Sequence, residues 1–249
     1  MEEILELYKN LGETPLETIE RFRNENPTYK EVKMTYLGRL DPMAEGLLLV
    51  LAGNTKNKNQ YLEMDKTYEF EVMWGFETDT YDILGLNTAK GRQPVKLENK
   101  IPNLLKEIKN KKNQSYPPYS SRTVEGKPLF EWAREKRIKE IDIPTRGIKI
   151  FAIEHLDTRI VNGKDLLEDI LTRIDLVRGN FRQVEIKKSW LNNLSEKDMV
   201  LLSTFRADVS TGTYIRGLAS EMGKILECGG ITNSIKRTRM GNHLGTEKS

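Results

Sequence analysis

Apolar positions fall into short, separate runs along the chain, and their spacing changes from one run to the next. Leu16, Ile19 and Phe22 form a modest stripe in a helix predicted over residues 15–25. Thr14 can cap it, Pro15 suits its first turn, and Glu17 completes a Thr-x-x-Glu capping box. Residues 46–52 are continuously apolar after Gly46 and end at Gly53, which suits a buried strand or a short buried helix. Tyr68, Phe70, Val72 and Trp74 alternate with Thr67, Glu69, Glu71 and Met73, so period two predicts a half-buried strand stopped by Gly75. Ile101, Leu104, Leu105 and Ile108 recur at helical spacing within residues 96–112, and residues 129–136 offer a shorter helix. Residues 148–153, 171–177, 182–186 and 205–210 read as strands, and Ile215, Leu218, Met222 and Ile225 mark an amphipathic helix. Strands and helices mix without a strict βαβ rhythm, so the expected class is α+β around a mixed sheet.

Composition narrows the possibilities. The 249 residues suit one large domain or two small ones, and no linker-like stretch or repeat divides them. A chain of this size buries about 70–75% of its unfolded surface, so it needs no disulfide or metal to fold. Forty Lys and Arg against 37 Asp and Glu give +3. That is mildly basic, short of the pI above 9 of a dedicated nucleic-acid-binding domain. One cysteine, Cys228, excludes an internal disulfide and multi-cysteine metal sites, and His155 and His243 stand far apart. The opening Met1-Glu2-Glu3 is acidic, unlike a signal or transit peptide, and no apolar run could cross a bilayer. A cytoplasmic protein without a membrane partner is expected.

Phosphate-binding and dinucleotide-binding glycine motifs are missing, as are paired histidines at metal-ligand spacing. Neither a nucleotide cofactor nor a metal is therefore expected. The densest unusual segment is Gly38-Arg39-Leu40-Asp41-Pro42-Met43-Ala44-Glu45-Gly46. Its glycines and Asp-Pro pair demand an irregular backbone. Asp41 is there either a turn initiator or a reactive carboxylate on a loop. Thr78-Asp79-Thr80-Tyr81-Asp82 reads first as a hydrogen-bonded turn, since two carboxylates are too few for a cation site. Residues 114–122 form a stiff loop with Tyr116, Pro117, Pro118 and Tyr119. Ser210-Thr211-Gly212-Thr213-Tyr214-Ile215-Arg216 carries a strand into a helix. Arg216 there opposes the dipole's preference for anions, so a partner carboxylate or phosphate would account for it, as would plain exposure. Lys236, Arg237 and Arg239 form a last basic cluster.

Taken together and in order, these segments resemble the TruB family of tRNA pseudouridine-55 synthases, which includes the Cbf5-type enzymes. The family pattern G-x-L-D-P-x-A-x-G is met by residues 38–46, G-x-x-T-K is met one position short by residues 53–56, and K-x-Y is met by Lys66 and Tyr68. G-x-x-T-D-T-x-D-x-x-G is met without exception by residues 75–85, G-T-Y-I-R by residues 212–216, and R-T-R-x-G by residues 237–241. The resemblance implies a pseudouridine synthase fold, with a largely antiparallel mixed sheet, flanking helices and a central cleft. It implies isomerisation of uridine to pseudouridine, in the T-arm of tRNA, without a cofactor.

By that resemblance Asp41 is the catalytic carboxylate, Arg216 the cation that pairs with it, and Tyr68 the aromatic that stacks on the target base. Tyr214 and Asp82 match residues that hold substrate and site. Lys236, Arg237 and Arg239 are expected phosphate contacts, as are the lysines of residues 106–112. Tyr36 stands where the family has histidine, with Thr35 for the preceding glycine, and is expected beside the RNA. The N-terminal family pattern K-P-x-G-x-T-S survives only in part over residues 9–15. The expected organisation is one catalytic domain over residues 1–249, monomeric and without a C-terminal PUA domain. Three other readings compete: pseudouridylation of a different RNA, a catalytically silent RNA-binding or RNA-folding factor of this fold, and a hydrolase using Asp41 with Glu45.

Overall fold

Thr14 Oγ1 accepts the Glu17 N–H at 3.3 Å and Glu17 Oε2 accepts the Thr14 N–H at 2.7 Å, closing the expected capping box. It starts helix α1 (Pro15–Glu25). The computed structural model describes residues 2–245. Its centre is an eight-stranded sheet. In chain order the strands are β1 (Glu2–Lys9), β2 (Met34–Leu37), β3 (Ala44–Gly53), β4 (Lys66–Trp74), β5 (Ile150–Asn162), β6 (Met199–Val209), β7 (Gly230–Met240) and β8 (His243–Leu244). They lie in the order β1-β3-β7-β4-β6-β5, with β2 paired to β3 and β8 to β7. All pairings are antiparallel except β7 with β3, where residues 235–237 run parallel to 44–46. The class is α+β, as the mixed pattern implied.

Both faces of the sheet's centre are covered, which corrects the half-buried reading of β4. Tyr68, Phe70, Val72 and Trp74 pack with Phe205, Ala207 and Val209 of β6. Leu104 and Ile108 of α2 (Leu97–Lys109) and Leu218 and Met222 of α6 (Ile215–Ile225) cover them. On the opposite face Met73, Leu202 and Ile231 meet α4 (Gly163–Asp175) and α5 (Gln183–Asn193). Each large apolar side chain so buried contributes about 1.5–3 kcal/mol. Glu71 survives burial because Asn233 Nδ2 donates to it at 2.5 Å and Arg159 pairs with it at 2.8 Å.

Helices α4 and α5 replace the strands read over residues 171–177 and 182–186. Leu166, Ile170 and Ile174 bury one stripe of α4, and Asn162 Oδ1 caps it by accepting the Asp165 N–H at 2.9 Å. Ile186 and Trp190, four apart, anchor α5, while Val184 and Leu191 are exposed. The short helix α3 (Leu129–Arg134) covers the residue 114–128 loop through Trp132 and Leu129. No helix of the described residues is long and apolar enough to cross a membrane.

Candidate active site

The site forms where β3 and β4 begin and β6 and β7 end, so four chain segments open onto one end of the sheet. Asp41 sits in the loop between β2 and β3, with Leu40 and Met43 buried on either side as anchors. The Ala44 N–H closes a turn on the Asp41 carbonyl at 3.0 Å, and the Gly12 N–H donates to the Pro42 carbonyl at 2.9 Å. Gly46 (φ +104°) lets β3 pass against β7, where a Cβ would run into the Arg237 carbonyl oxygen.

Arg216, in the first turn of α6, ties the site together. Its Nε donates to Asp41 Oδ2 at 2.7 Å, Nη2 to the Tyr119 carbonyl at 3.2 Å and Nη1 to the Thr80 carbonyl. Asp82 Oδ2 lies 3.6 Å from Nε. The Arg216 side chain is 4% exposed and that of Asp41 32%, so the cation is sealed while the carboxylate reaches the cleft. Burial alone would lower the guanidinium's pKa, but Asp41 and Asp82 outweigh it and raise it. Asp82 is pushed up to about 6, chiefly by burial, with Arg216 and the Thr80 hydroxyl opposing.

The residue 78–82 turn holds Asp82 in place. Asp82 Oδ1 accepts the Thr80 hydroxyl at 2.7 Å and the Leu84 N–H at 2.9 Å, and its carbonyl accepts the Thr78 hydroxyl at 2.7 Å. Asp79 pairs with Arg182 at 2.8 Å and thereby fastens the turn to the start of α5. Among the described residues no group of three or more His, Cys, Asp or Glu could hold a metal ion.

Tyr68 enters from β4, opposite Ala207 on one side and Arg237 on the other. Its ring packs in the same apolar cluster as Leu40, Ala44 and Ile215, the neighbours of Asp41 and Arg216. Its hydroxyl makes no hydrogen bond among the described residues and is not sealed from solvent. The Tyr214 ring meets Tyr116 edge-on at 5.8 Å, and Gln114 clamps the Tyr214 backbone by accepting its N–H at 2.8 Å and donating to its carbonyl at 2.9 Å. Burial, followed by the Asp41 charge, raises the Tyr214 hydroxyl's pKa.

Other expected site residues fall elsewhere. Arg237 is fully buried: Nε donates to the Leu47 carbonyl at 2.7 Å and Nη2 to the Gly38 carbonyl at 3.3 Å. It braces the Asp41 loop from behind and has no surface to offer a phosphate, which corrects that expectation. Asp82 is likewise buried and holds Arg216 instead of facing RNA. Arg239 is partly exposed but donates to Thr67 Oγ1 at 2.8 Å and pairs with Asp208 at 3.4 Å. Lys236 is partly exposed on β7. Tyr36 packs toward Ile19 and Val50 on the α1 side of β3, and its hydroxyl accepts Arg39 Nη2 at 3.2 Å. Lys106, Lys109 and Lys112 are exposed, whereas Lys111 pairs with Glu221 at 2.5 Å. Glu45 accepts the Tyr8 hydroxyl at 3.0 Å.

Lys9 is a site residue that side-chain chemistry alone did not single out. It is fully buried, and its ammonium donates to the carbonyls of Asn10 at 3.0 Å, Ala44 at 2.5 Å and Pro42 at 3.5 Å. Burial pushes it down to about 8 although Asp41, Glu13 and Glu45 favour its charge. The lysine that opens the partial N-terminal family pattern was the available signal.

Comparison with known proteins identifies the family. Residues 26–164 match the family model described as TruB family pseudouridylate synthase (N terminal domain). The chain belongs to the TruB family. Among its relatives is tRNA pseudouridine synthase B of Aquifex aeolicus (strain VF5), 28% identical over 243 residues, covering 96% of this chain and 69% of the relative. The Aromatoleum aromaticum enzyme of the same name is 33% identical over 211 residues, covering 84% of this chain and 54% of the relative. The TruB-family fold is shared with a solved Cbf5-Nop10-Gar1 complex (TM-score 0.56, 21% identity, 96% of this chain and 48% of that one). It is shared also with an H/ACA RNP bound to a substrate RNA containing 2'-deoxyuridine (TM-score 0.52, 20% identity, 96% and 47%). The TruB-family chain thus spans between about half and about two thirds of the length of these proteins.

Proposed function

We propose that this protein isomerises uridine to pseudouridine in the T-arm of tRNA, with Asp41 as the reacting carboxylate. The observation that carries the reading is the exposed Asp41 carboxylate held at 2.7 Å by a sealed Arg216. Such a pair keeps a negative charge fixed and dry on one side and open to substrate on the other.

In the reaction the N1–C1′ bond breaks, the uracil turns, and a C5–C1′ bond forms. C5 loses a proton and N1 gains one, so nothing is oxidised or hydrolysed. Asp41 meets the electron-poor sugar or base carbon, either by adding to it or by stabilising it and removing a proton. By the family resemblance Tyr68 is the aromatic that meets a base taken out of its helix, and its unbonded hydroxyl is free to assist proton removal. The edge-on Tyr214 and Tyr116 rings add a second aromatic surface beside Asp41 and Arg216. Names of the relatives, tRNA pseudouridine synthase B, support tRNA as the substrate class. The protein is expected to act in the cytoplasm as a monomer.

The test is incubation of the purified protein with a T-arm stem-loop transcript, followed by digestion and mass spectrometry. Pseudouridine at unchanged RNA mass supports the reading. Release of free uracil would support hydrolysis, and tight binding without product would leave an RNA-binding factor of the same fold.

A further inference from the structure

Three cations converge beside the cleft, and one of them has no partner. Lys66 and Arg237 press against Gly38, three residues before Asp41. The Lys66 ammonium donates only to neutral oxygens, the Met64 carbonyl at 2.7 Å and Thr211 Oγ1 at 3.2 Å. Arg237 also donates only to carbonyls. Arg146 reaches in from the short strand Thr145–Gly147 and covers Gly212, so that a Cβ there would stand in the guanidinium's place. Its Nε is buried with no hydrogen-bond partner, and its side chain makes no ion pair among the described residues.

The three charges sense one another. Lys66 is pushed down to about 8, first by burial and then by Arg237 and Arg146, with Asp65 only partly offsetting them. Unpaired guanidinium beside two more cations is unfavourable unless an anion arrives from outside. The cluster touches the loop leading to Asp41 at Gly38 and the loop leading to Arg216 at Gly212, so that anion lies next to the reacting nucleotide. Gly212 (φ +74°) carries no side chain, which lets the Arg146 guanidinium lie against its backbone at this point.

We propose that Arg146, with Lys66 behind it, binds a phosphodiester of the RNA strand immediately flanking the target uridine, resting on the reading of the chain as a uridine isomerase. Arg146 then fixes the strand while the base is turned out. A planar guanidinium with free donors suits two phosphate oxygens better than a point charge does.

The test is salt-dependent binding of the T-arm stem-loop to wild type, Arg146→Gln and Arg146→Lys. Arg146→Gln is expected to weaken binding roughly ten- to a hundredfold and to lower the slope of log K against log salt by about one. Arg146→Lys keeps most of the slope. Stem-loops with a neutral methylphosphonate 5′ or 3′ of the uridine supply the second arm. Wild type loses affinity at one of these positions, and Arg146→Gln does not respond there. Equal affinity and slope in Arg146→Gln and wild type overturn the proposal, as does an equal methylphosphonate penalty in both proteins. Should Arg146→Gln melt early by circular dichroism, the methylphosphonate penalty is compared between wild type and Arg146→Lys. A smaller penalty in the lysine variant supports the contact, and no penalty in either protein overturns it. Binding does not require turnover, so wild type that binds without making pseudouridine overturns the proposed activity while this comparison still decides the contact.

Discussion

Arg216 Nε meets Asp41 Oδ2 at 2.7 Å across 175 positions of sequence, and the same guanidinium reaches the Thr80 and Tyr119 carbonyls. One side chain thus fixes the relative positions of the three loops that line the cleft. Asp41→Asn keeps the shape but removes the charge, so turnover is expected to vanish while RNA binding stays within about threefold, a change of about 0.7 kcal/mol. Arg216→Lys cannot span all three loops, and kcat is expected to fall at least about a hundredfold. Arg216→Ala strands buried Asp82 without its cation and should cost about 3–5 kcal/mol of stability in denaturant melts. Wild-type stability in that variant would deny Arg216 its bracing role.

Lys9 supports the same loop from the side opposite Arg237. Its ammonium serves the carbonyls on both sides of Met43, so Lys9→Met leaves buried acceptors unpaired. The expected loss is about 1–3 kcal/mol. Removing a buried charge partly offsets it, because burial already opposes the ammonium. A falling kcat with an unchanged KM would show that Lys9 works through the geometry of Asp41, whereas full activity would separate Lys9 from the site.

The parts of this architecture visible in the sequence share a property: their signal is local. Thr14, Pro15 and Glu17 announce α1 within four residues, and Gly75 ends β4 where alternation stops. Strand β7 announces nothing, because Asn233 and Arg237 are buried there among Ile231 and Ile235. Their burial is stabilised by partners 162 and 190 positions away, Glu71 and Leu47, which no window of hydrophobicity can register. Residues 171–177 misled for a different reason. Over so short a window aliphatic alternation and a helical stripe look alike, and only the longer series Leu166, Ile170, Ile174 separates them. Asp41, Tyr68 and Arg216 were legible as a set through the family resemblance, since each alone has an ordinary structural explanation. Arg237 matched a motif as well, but matching could not say which way its side chain points.

Glu13 gives the fold a defined acid sensitivity. It accepts Arg21 Nε at 2.8 Å, the Asn10 N–H at 3.0 Å and the Thr18 hydroxyl at 3.1 Å, and so joins the end of β1 to α1. Burial would raise its pKa, yet the bonds from Arg21 and Asn10 pull it down to about 2 from 4.5. A depressed carboxylate stabilises the fold above its unfolded value and loses that contribution as pH falls toward its folded value. Thermal stability is therefore expected to drop between about pH 4.5 and 2. Glu13→Gln should be less stable at pH 7 and show a shallower acid decline; an identical pH profile would remove Glu13 as a contributor.

Variants of Tyr68 can separate the two roles proposed for it, stacking and proton transfer, because its ring and its hydroxyl lie in different surroundings. The ring is buried with Leu40, Ala44 and Ile215, and the hydroxyl is unbonded at the cleft. Tyr68→Phe keeps the stacking face and removes the group placed to assist proton removal. Its kcat is expected to fall about a hundredfold, the low end of general acid–base contributions, with little change in RNA affinity. Tyr68→Leu loses the face as well, and stacking on an aromatic side chain is worth about 1–3 kcal/mol per base, so its affinity should weaken at least about fivefold. Because the unfilled space left by leucine also loosens the cluster around Leu40, circular dichroism melts accompany the kinetics. If Tyr68→Phe turns over like wild type, the hydroxyl has no part in the reaction and the tyrosine serves only as a platform for the base.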